Sequence, residues 1–214
     1  MPDSPDDTAA VAALRRADPV LAGVIDAVGG LEGIAERRRG RVPGDHLGTL
    51  MRSIVGQQVS VAAASAIWTR LTDRYGGRVP TPIEILADDP EELRAAAGLS
   101  RSKVSYLRSL AGHVVEGSLA LEVLDELPDD EVVRELVAVK GIGEWSAHMF
   151  LIFHLQRPDV LAAGDLGVRR AVMLAYGLPE MPPPAEVARI GEPWRPHRTL
   201  AGLFLWQSLS VAPI

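Results

Sequence analysis

The chain has 214 residues, of which 47% are hydrophobic and 23% charged, so it is long enough to bury a substantial core. It contains no cysteine, which excludes disulfides, thiolate zinc sites, iron-sulfur clusters and cysteine nucleophiles. The formal net charge of -6 argues against a protein that coats nucleic acid by bulk attraction, so any contact with DNA has to be local.

The lack of a long apolar run and the acidic N-terminus predict a cytoplasmic protein. No apolar run reaches the roughly 18 residues that a bilayer span needs. The N-terminus "MPDSPDDTAA" is acidic where a signal peptide would be basic and then apolar. The basic run consists of Arg37, Arg38, Arg39 and Arg41, and it is interpreted as a solvated loop near a helix end.

Helical spacing dominates the chain, while candidate strands such as "GRVP" at Gly77 to Pro80 are too short and too rich in proline to build a sheet. The sequence therefore predicts an all-α fold. A disordered leader is expected over residues 1–17. Helices are expected at about 18–28, 46–58 and 61–77, from Pro90 to Gly98, after Ser100, at "PDDEVV", at Glu144, at Asp165, and near Pro184 and Pro196.

A helix, glycine turn and second helix occur twice in the sequence. The segment "LRAAAGLSRS", from Leu93, aligns with "LVAVKGIGEW", from Leu136, and in each a leucine precedes the first turn glycine by five residues. Ser100 stands where the second unit has Gly143. Two related units and a coincidence between common helical hairpins both remain open.

The turn "KGIGEW" has the features of an anion site. Gly141 and Gly143 lack a Cβ atom, so the turn can adopt positive φ and its amides can approach a ligand closely. The turn opens a helix whose first N–H groups have no internal partner, which favours a phosphate. Such uncharged donors would let an acidic protein hold a nucleic-acid backbone. The alternative is a tight turn in which glycine serves conformation only.

One carboxylate downstream of this turn is a candidate for chemistry. Between Trp145 and Gly177 the only carboxylates are Asp159 and Asp165. Asp165 follows Gly164 and precedes a helical run, so it is expected at an N-cap, where amides and the helix dipole favour a negative charge. An ordinary capping aspartate is the alternative.

The segments "IVGQQVS", "VKGIGEWSAHMFLIF" and "RPDVLAAGDLGVRRA" are similar in order and spacing to the helix-hairpin-helix (HhH-GPD) DNA glycosylases, most closely the 3-methyladenine DNA glycosylase II (AlkA-like) family. The resemblance covers roughly residues 18–210. It implies two helical lobes with an active-site cleft between them, a helix-hairpin-helix motif at about 129–156, and a catalytic aspartate at Asp165. The larger bacterial relatives carry an additional N-terminal α/β domain for which this chain has no room, so the compact form is expected.

The resemblance also implies a domain organisation. An N-terminal helix over 18–40 is expected to pack with the C-terminal lobe. A helical lobe carrying a wedge loop would cover 41–128, and the helix-hairpin-helix and catalytic lobe would cover 129–214.

The implied function is a monofunctional DNA glycosylase that hydrolyses the N-glycosidic bond of alkylated purines, of the 3-methyladenine and 7-methylguanine type, in duplex DNA for base excision repair. Asp165 would stabilise the positive charge that builds on the sugar. Duplex DNA with a damaged base is the expected partner of a monomeric, nucleoid-associated protein. Two alternatives remain open: a non-catalytic hairpin module that binds DNA or assembles repair partners, and a sister glycosylase for oxidised or deaminated bases.

By the same resemblance, Trp145 would stack on the flipped cationic base, with Met149 and His197 where larger relatives have aromatic pocket residues. Core packing of Trp145 and a solvated turn position of His197 are the alternatives. The tryptophans interpreted as core are Trp68, Trp194 and Trp206.

The wedge that fills the gap left by the flipped base would fall on Gln57 or Gln58, for which a surface helix end is the alternative reading. The phosphate contacts would come from Lys140, Gly141, Ile142 and Gly143.

Two expectations concern lyase chemistry and cofactors. Trp145 occupies the position where strand-cleaving relatives carry a Schiff-base lysine, so hydrolysis without lyase activity is expected. No cofactor is required for the chemistry. The resemblance also implies a monovalent cation held by the main-chain carbonyls of Val137, Val139 and Ile142.

Overall fold

The computed structural model describes residues 5–35 and 45–210. Within these ranges the chain is helical and contains no β-strand, which confirms the predicted all-α class. None of the helices in these ranges is both long enough and apolar enough to span a membrane. The basic run Arg37 to Arg41 and the predicted boundary at residues 40 and 41 lie outside the described residues.

The described helices are mostly short, and several begin at a proline or at a capping side chain. Three further single turns occur, two of 3-10 type at Leu121–Val123 and Glu192–Trp194 and one π-helical turn at Phe150–His154. The α-helices are α1 (Pro5–Ala17), α2 (Pro19–Ala27), α3 (Gly30–Gly33), α4 (His46–Gly56), α5 (Val61–Arg74), α6 (Pro82–Ala87), α7 (Pro90–Ala97), α8 (Arg101–Val115), α9 (Asp129–Val137), α10 (Glu144–Met149), α11 (Leu166–Ala175), α12 (Pro184–Ile190) and α13 (Arg198–Ser208).

Capping contacts confirm several of the predicted helix starts, and a left-handed glycine confirms one predicted stop. Each capping side chain accepts a hydrogen bond from a backbone amide in the first turn of its helix, which satisfies a donor that has no partner inside the helix. Gly98 ends α7 in the left-handed region with φ +73°. The capping residues are Asp18 before α2, Asp89 before α7, Ser100 before α8 and Asp165 before α11.

Helix α6 is absent from the sequence prediction. It begins at a capping box in which Glu84 N donates to Thr81 Oγ1 and Thr81 N donates to the Glu84 side chain. The prediction treated the neighbouring proline-containing segment only as a failed strand, although Thr81, Pro82 and Glu84 together are a helix-start signal.

The predicted disordered leader over residues 1–17 is wrong for residues 5–17, which form α1. Ala10 and Leu14, one helical turn apart, are only 6% and 1% exposed. The alanine-rich segment has high helix propensity, and its apolar stripe gives the helix a surface to bury. Residues 1–4 lie outside the described residues.

The chain divides into two compact units, one formed by Met1–Arg41 with Leu151–Ile214 (unit 1) and the other by Val42–Phe150 (unit 2). The predicted boundary at residues 128 and 129 is therefore wrong, because the hairpin α9–α10 belongs with the helices that precede it. The physical reason is a set of contacts from α4 and α8 to the hairpin turn, described below.

In unit 1, helix α2 packs against α11 and α13. Asp18 is 8% exposed and accepts hydrogen bonds from the Tyr176 hydroxyl and from Trp194 Nε1 (2.8 Å) as well as from the backbone. Burial raises the pKa of the Asp18 carboxyl, but these hydrogen bonds outweigh it and hold the pKa below its usual value. The buried carboxylate thus ties the start of α2 to the C-terminal part of the chain.

In unit 2, helix α8 is the central element, and it contacts α4, α6 and α7. Its buried residues are apolar apart from Lys103, with Leu107 and Leu110 at 0% exposure. Helix α4 also packs on α5, and α9 packs on α10. This arrangement places α8 beneath the hairpin turn and beside the end of α4.

Candidate functional site

The turn between α9 and α10 takes its shape from Gly141. Gly141 has φ +92°, a conformation that residues with a Cβ rarely adopt. A Cβ on Gly141 would lie 2.2 Å from Tyr106 Cγ, so the bare backbone also lets the turn rest on the Tyr106 ring. Ile142 is 4% exposed, so its side chain anchors the turn in the core.

Gly143 differs from Gly141. It has φ -98°, an ordinary conformation for any residue, and no atom lies within 4 Å of where its Cβ would be. The expectation of positive φ is thus met only at Gly141. Gly143 is the N-cap of α10 and makes no side-chain capping bond. The first backbone N–H groups of α10 therefore lie at an exposed surface that no capping side chain obstructs.

The hairpin α7–α8 repeats this backbone geometry. Gly98 has φ +73°, Leu99 is 4% exposed, and Ser100 is an extended N-cap. Unlike Gly143, Ser100 caps its own helix, because its Oγ accepts from Lys103 N at 3.1 Å. The sequence echo therefore corresponds to a shared geometry, with a side chain covering the amides at one of the two turns.

Contacts from α8 and α4 hold the hairpin turn within unit 2. Lys140 N donates to Ser109 Oγ at 3.1 Å, and Lys140 Nζ lies 3.3 Å from Ser105 Oγ. From the other helix, Gln57 Nε2 donates to Gly141 O at 2.8 Å. The turn is thus fixed by its backbone, while the Lys140 side chain remains exposed along α8.

The two candidate wedge residues have different environments. Gln57 is half-buried, and its amide is engaged by the hairpin. Gln58 is exposed and adopts φ +56°, which is uncommon for a residue other than glycine. Val55, two residues before Gln57, accepts a hydrogen bond at 2.8 Å on its carbonyl oxygen from Nζ of the buried Lys103. Burial lowers the pKa of this amine. Of the two glutamines, Gln58 is therefore the one that is exposed to solvent.

Asp165 is the N-cap of α11, as predicted, and its carboxylate is oriented by two donors. Val168 N donates to Asp165 Oδ1 at 2.8 Å, and Trp206 Nε1 donates to the same oxygen at 2.7 Å. Gly167 leaves room for this contact, because a Cβ there would lie 3.0 Å from the Trp206 ring and 3.0 Å from Asp165 Oδ1.

Trp206 was predicted to be a core residue, and its contact with Asp165 was not predicted. It is half-buried, and its ring stacks on Phe153 with centroids 5.9 Å apart and an interplanar angle of 21°. A buried indole N–H needs an acceptor, so a tryptophan on an otherwise apolar helix was a signal that a polar partner lies nearby. The core interpretation is correct for Trp68 and Trp194, which are 8% and 0% exposed.

Trp145 is 52% exposed, so the alternative of plain core packing is wrong. Met149, one turn later on α10, is half-buried. His148 is also on this helix, and burial lowers its pKa although Glu144, 3.9 Å away, acts in the opposite direction. The exposed part of α10 therefore offers the Trp145 indole ring and the Glu144 carboxylate beside the turn.

His197 is half-buried at the N-cap position of α13. The other carboxylate of the segment, Asp159, is bound by Arg198 Nε at 2.7 Å and Arg195 Nη1 at 2.7 Å. Burial raises the pKa of Asp159, but the hydrogen bonds and charge of Arg198 and the charge of Arg195 outweigh it and lower the pKa. Asp159 is thus paired with two arginines, and Asp165 remains the candidate catalytic carboxylate.

The carbonyls proposed for a cation lie on the hairpin turn. Val139 O accepts one hydrogen bond from Ile142 N at 3.0 Å, which leaves a second lone pair on that carbonyl oxygen. Carbonyl oxygens of this kind are compatible with a hard monovalent cation. The site remains a prediction.

The HhH-GPD superfamily of base excision DNA repair proteins matches residues 51–196. DNA-3-methyladenine glycosylase 1 of Schizosaccharomyces pombe is 36% identical over 165 residues, which make up 76% of this chain and 72% of the relative. DNA-3-methyladenine glycosylase 2 of Escherichia coli is 31% identical over 184 residues, and the match spans 81% of this chain but only 62% of that relative.

A solved structure gives the same relationship. The 3-methyladenine DNA glycosylase of S. pombe, solved in complex with abasic DNA, superposes with a TM-score of 0.80 at 31% identity, covering 95% of this chain and 97% of that one. The match in sequence extends over the hairpin, the wedge turn and Asp165. The chain therefore belongs to the HhH-GPD superfamily of base excision DNA repair proteins.

Proposed function

We propose that this protein is a monofunctional DNA-3-methyladenine glycosylase that hydrolyses the N-glycosidic bond of alkylated purines in duplex DNA. The observation that carries the proposal is the Asp165 carboxylate, held at the start of α11 by Val168 N and Trp206 Nε1. Relatives named as DNA-3-methyladenine glycosylases support the same activity. We expect a cytoplasmic protein that acts on chromosomal DNA.

Cleavage of a purine N-glycosidic bond builds positive charge on the sugar as the base leaves. Asp165 stabilises that charge and accepts a proton from the attacking water. Because both donors bind the same oxygen, the carboxylate is fixed before the substrate arrives, and no reorganisation is needed during the reaction. A base alkylated at N3 or N7 already carries positive charge, so it leaves without strong help from a general acid.

The target base has to leave the duplex before it can react, at an unstacking cost of a few kcal/mol that is lower for a damaged pair. We propose that Gln58 enters the gap, because it is the exposed one of the two candidate glutamines. The half-exposed ring of Trp145 stacks on the extruded cationic base, an attraction of about 0.5 to 2 kcal/mol. Met149 and His197 remain the other residues proposed for contact with the base.

The DNA backbone is held by the hairpin. The amides that follow Gly143 and the exposed amine of Lys140 bind phosphate, and the buried Ile142 keeps the turn in place. A monovalent cation on the carbonyls of Val137, Val139 and Ile142 would add positive charge toward the phosphate, away from the bond that breaks.

The activity is tested by incubating the protein with alkylated duplex DNA and separating the released bases by chromatography. We expect release of 3-methyladenine and 7-methylguanine, leaving an intact strand with an abasic site. Borohydride should trap no covalent adduct, since the position after the hairpin is Trp145 and not lysine. Release of only oxidised or deaminated bases, or of none, would contradict the proposal.

A further inference from the structure

Two adjacent glutamines lie on the turn that follows α4, and their side chains have different environments. The side chain of Gln57 reaches a residue 84 positions away and donates from Nε2 to Gly141 O at 2.8 Å. The side chain of Gln58 is exposed, and its backbone is left-handed with φ +56°. The first glutamine thus contacts the hairpin, and the second faces outward.

The carbonyl that Gln57 reaches belongs to the residue on which the hairpin turn depends. Gly141 carries the left-handed conformation of that turn and rests on the Tyr106 ring, with room for no Cβ. On the neighbouring residue, Lys140 N donates to Ser109 Oγ at 3.1 Å. The peptide groups around Gly141 are therefore held by α8 on one side and by Gln57 on the other.

The end of α4 is anchored to the same helix. Lys103 of α8 is 9% exposed and donates from Nζ to Val55 O at 2.8 Å, two residues before Gln57. The backbone N–H of Gln57 donates to Ile54 O at 3.3 Å at the end of α4. The turn with Gln58 and the hairpin turn are thus connected twice, once through α8 and once directly through Gln57.

We propose that Gln57 is a positioning residue that sets the inserted residue, Gln58, in a fixed place relative to the phosphate grip of the hairpin. This inference rests on the proposed function. An inserting side chain can replace a base only if the backbone grip and the wedge act at a fixed separation along the strand. The Gln57 to Gly141 hydrogen bond fixes that separation directly, so base extrusion and backbone binding occur as one event.

The first test uses Gln57→Met, which keeps the length of the side chain and removes the donor. Exchange of the Lys140 and Ile142 amides with deuterium, followed by NMR in the free protein, should become roughly tenfold faster. The matched control Gln58→Met should leave these amides unchanged, because the hydrogen bond to Gly141 O comes from Gln57 and the Gln58 side chain is exposed. Unchanged exchange in the Gln57→Met variant would overturn the inference whatever the protein catalyses.

The second test measures base release from methylated duplex DNA. Gln57→Met should lower kcat roughly 10- to 100-fold, since small displacements of a positioned group cost rate, while KM and affinity for undamaged duplex stay within about twofold. An unchanged kcat beside faster amide exchange would also overturn the positioning role. If the wild-type protein released no methylated base, the proposed function itself would fail, and the exchange experiment would still report on the tether.

Discussion

At the scale of single residues, the contact between Asp165 and Trp206 gives the site its character. Any aspartate at an N-cap accepts a backbone amide, so the bond from Val168 N is no sign of catalysis by itself. The indole N–H adds a second donor to the same oxygen, and Gly167 is bare where a side chain would obstruct it. A carboxylate oriented in this way resembles a preorganised electrostatic group more than an ordinary cap.

Trp206→Phe tests this orientation. The substitution keeps a ring to stack on Phe153 and removes the donor to Asp165 Oδ1. We expect single-turnover base release to fall roughly tenfold, with a loss of about 1 kcal/mol in the free energy of unfolding. Binding of duplex DNA should not change. A wild-type rate of base release would show that the indole hydrogen bond has no part in catalysis.

At the scale of elements, local chemistry predicted the helix ends well. Asp89, Ser100 and Asp165 were recognisable caps because a short polar side chain before a helical run has few other roles. The role of Trp206 was not predictable in this way. Its partner lies 41 residues away in sequence, so only the tertiary fold reveals the contact.

The contacts of the hairpin turn were likewise only partly predictable from the sequence. Its glycine pattern predicted the turn, but not that Gly141 alone needs positive φ or that Gln57 would reach its carbonyl. The glycine pattern indicates what conformation the backbone of the turn needs. The contacts of Tyr106 and Ser109 with the turn depend on how α8 packs beneath it.

Gly143→Arg tests the hairpin as a binding element. Gly143 has an unstrained backbone with open space beside it, so the arginine adds bulk over the amides of α10 without disturbing the fold. We expect affinity for damaged and undamaged duplex to fall alike, by about tenfold, because a backbone contact is lost and no base contact. Gly143→Ala is the control, with near-normal stability and a smaller loss. Unchanged binding by the arginine variant, measured by fluorescence anisotropy, would rule out the phosphate assignment.

At the scale of the whole molecule, the chain combines distant segments into its two units. Unit 1 joins the N-terminal helices to residues after 150, and Asp18 links the two segments through its hydrogen bonds from Tyr176 and Trp194. Family resemblance predicted the N-terminal helix beside the C-terminal segment, but not the helical α1. It also placed the hairpin with the wrong unit, because the tethers from α4 and α8 are invisible in one sequence.

The Asp18 carboxylate gives unit 1 a defined pH dependence. Its pKa is lower in the folded protein than the ordinary 3.8, so its contribution to stability is fully present above about pH 5 and is lost as the pH falls through the folded pKa. Urea unfolding between pH 6 and pH 3 should show a steeper acid loss for the wild type than for Asp18→Asn. The variant should be about 1 to 3 kcal/mol less stable near neutral pH. Parallel pH profiles would mean that Asp18 is not ionised within the fold.

In the proposed mechanism the negative charge of Asp165 drives base release, and Asp165→Asn removes that charge. The amide oxygen of asparagine can still accept from both Val168 N and Trp206 Nε1, so the substitution removes the charge while keeping the geometry. Release of methylated purines and binding to the same duplex should be measured side by side for the wild type and the variant. We expect release to fall by at least about 1000-fold, with affinity for the duplex within about twofold of the wild-type value. Release by the variant at the wild-type rate would contradict this mechanism.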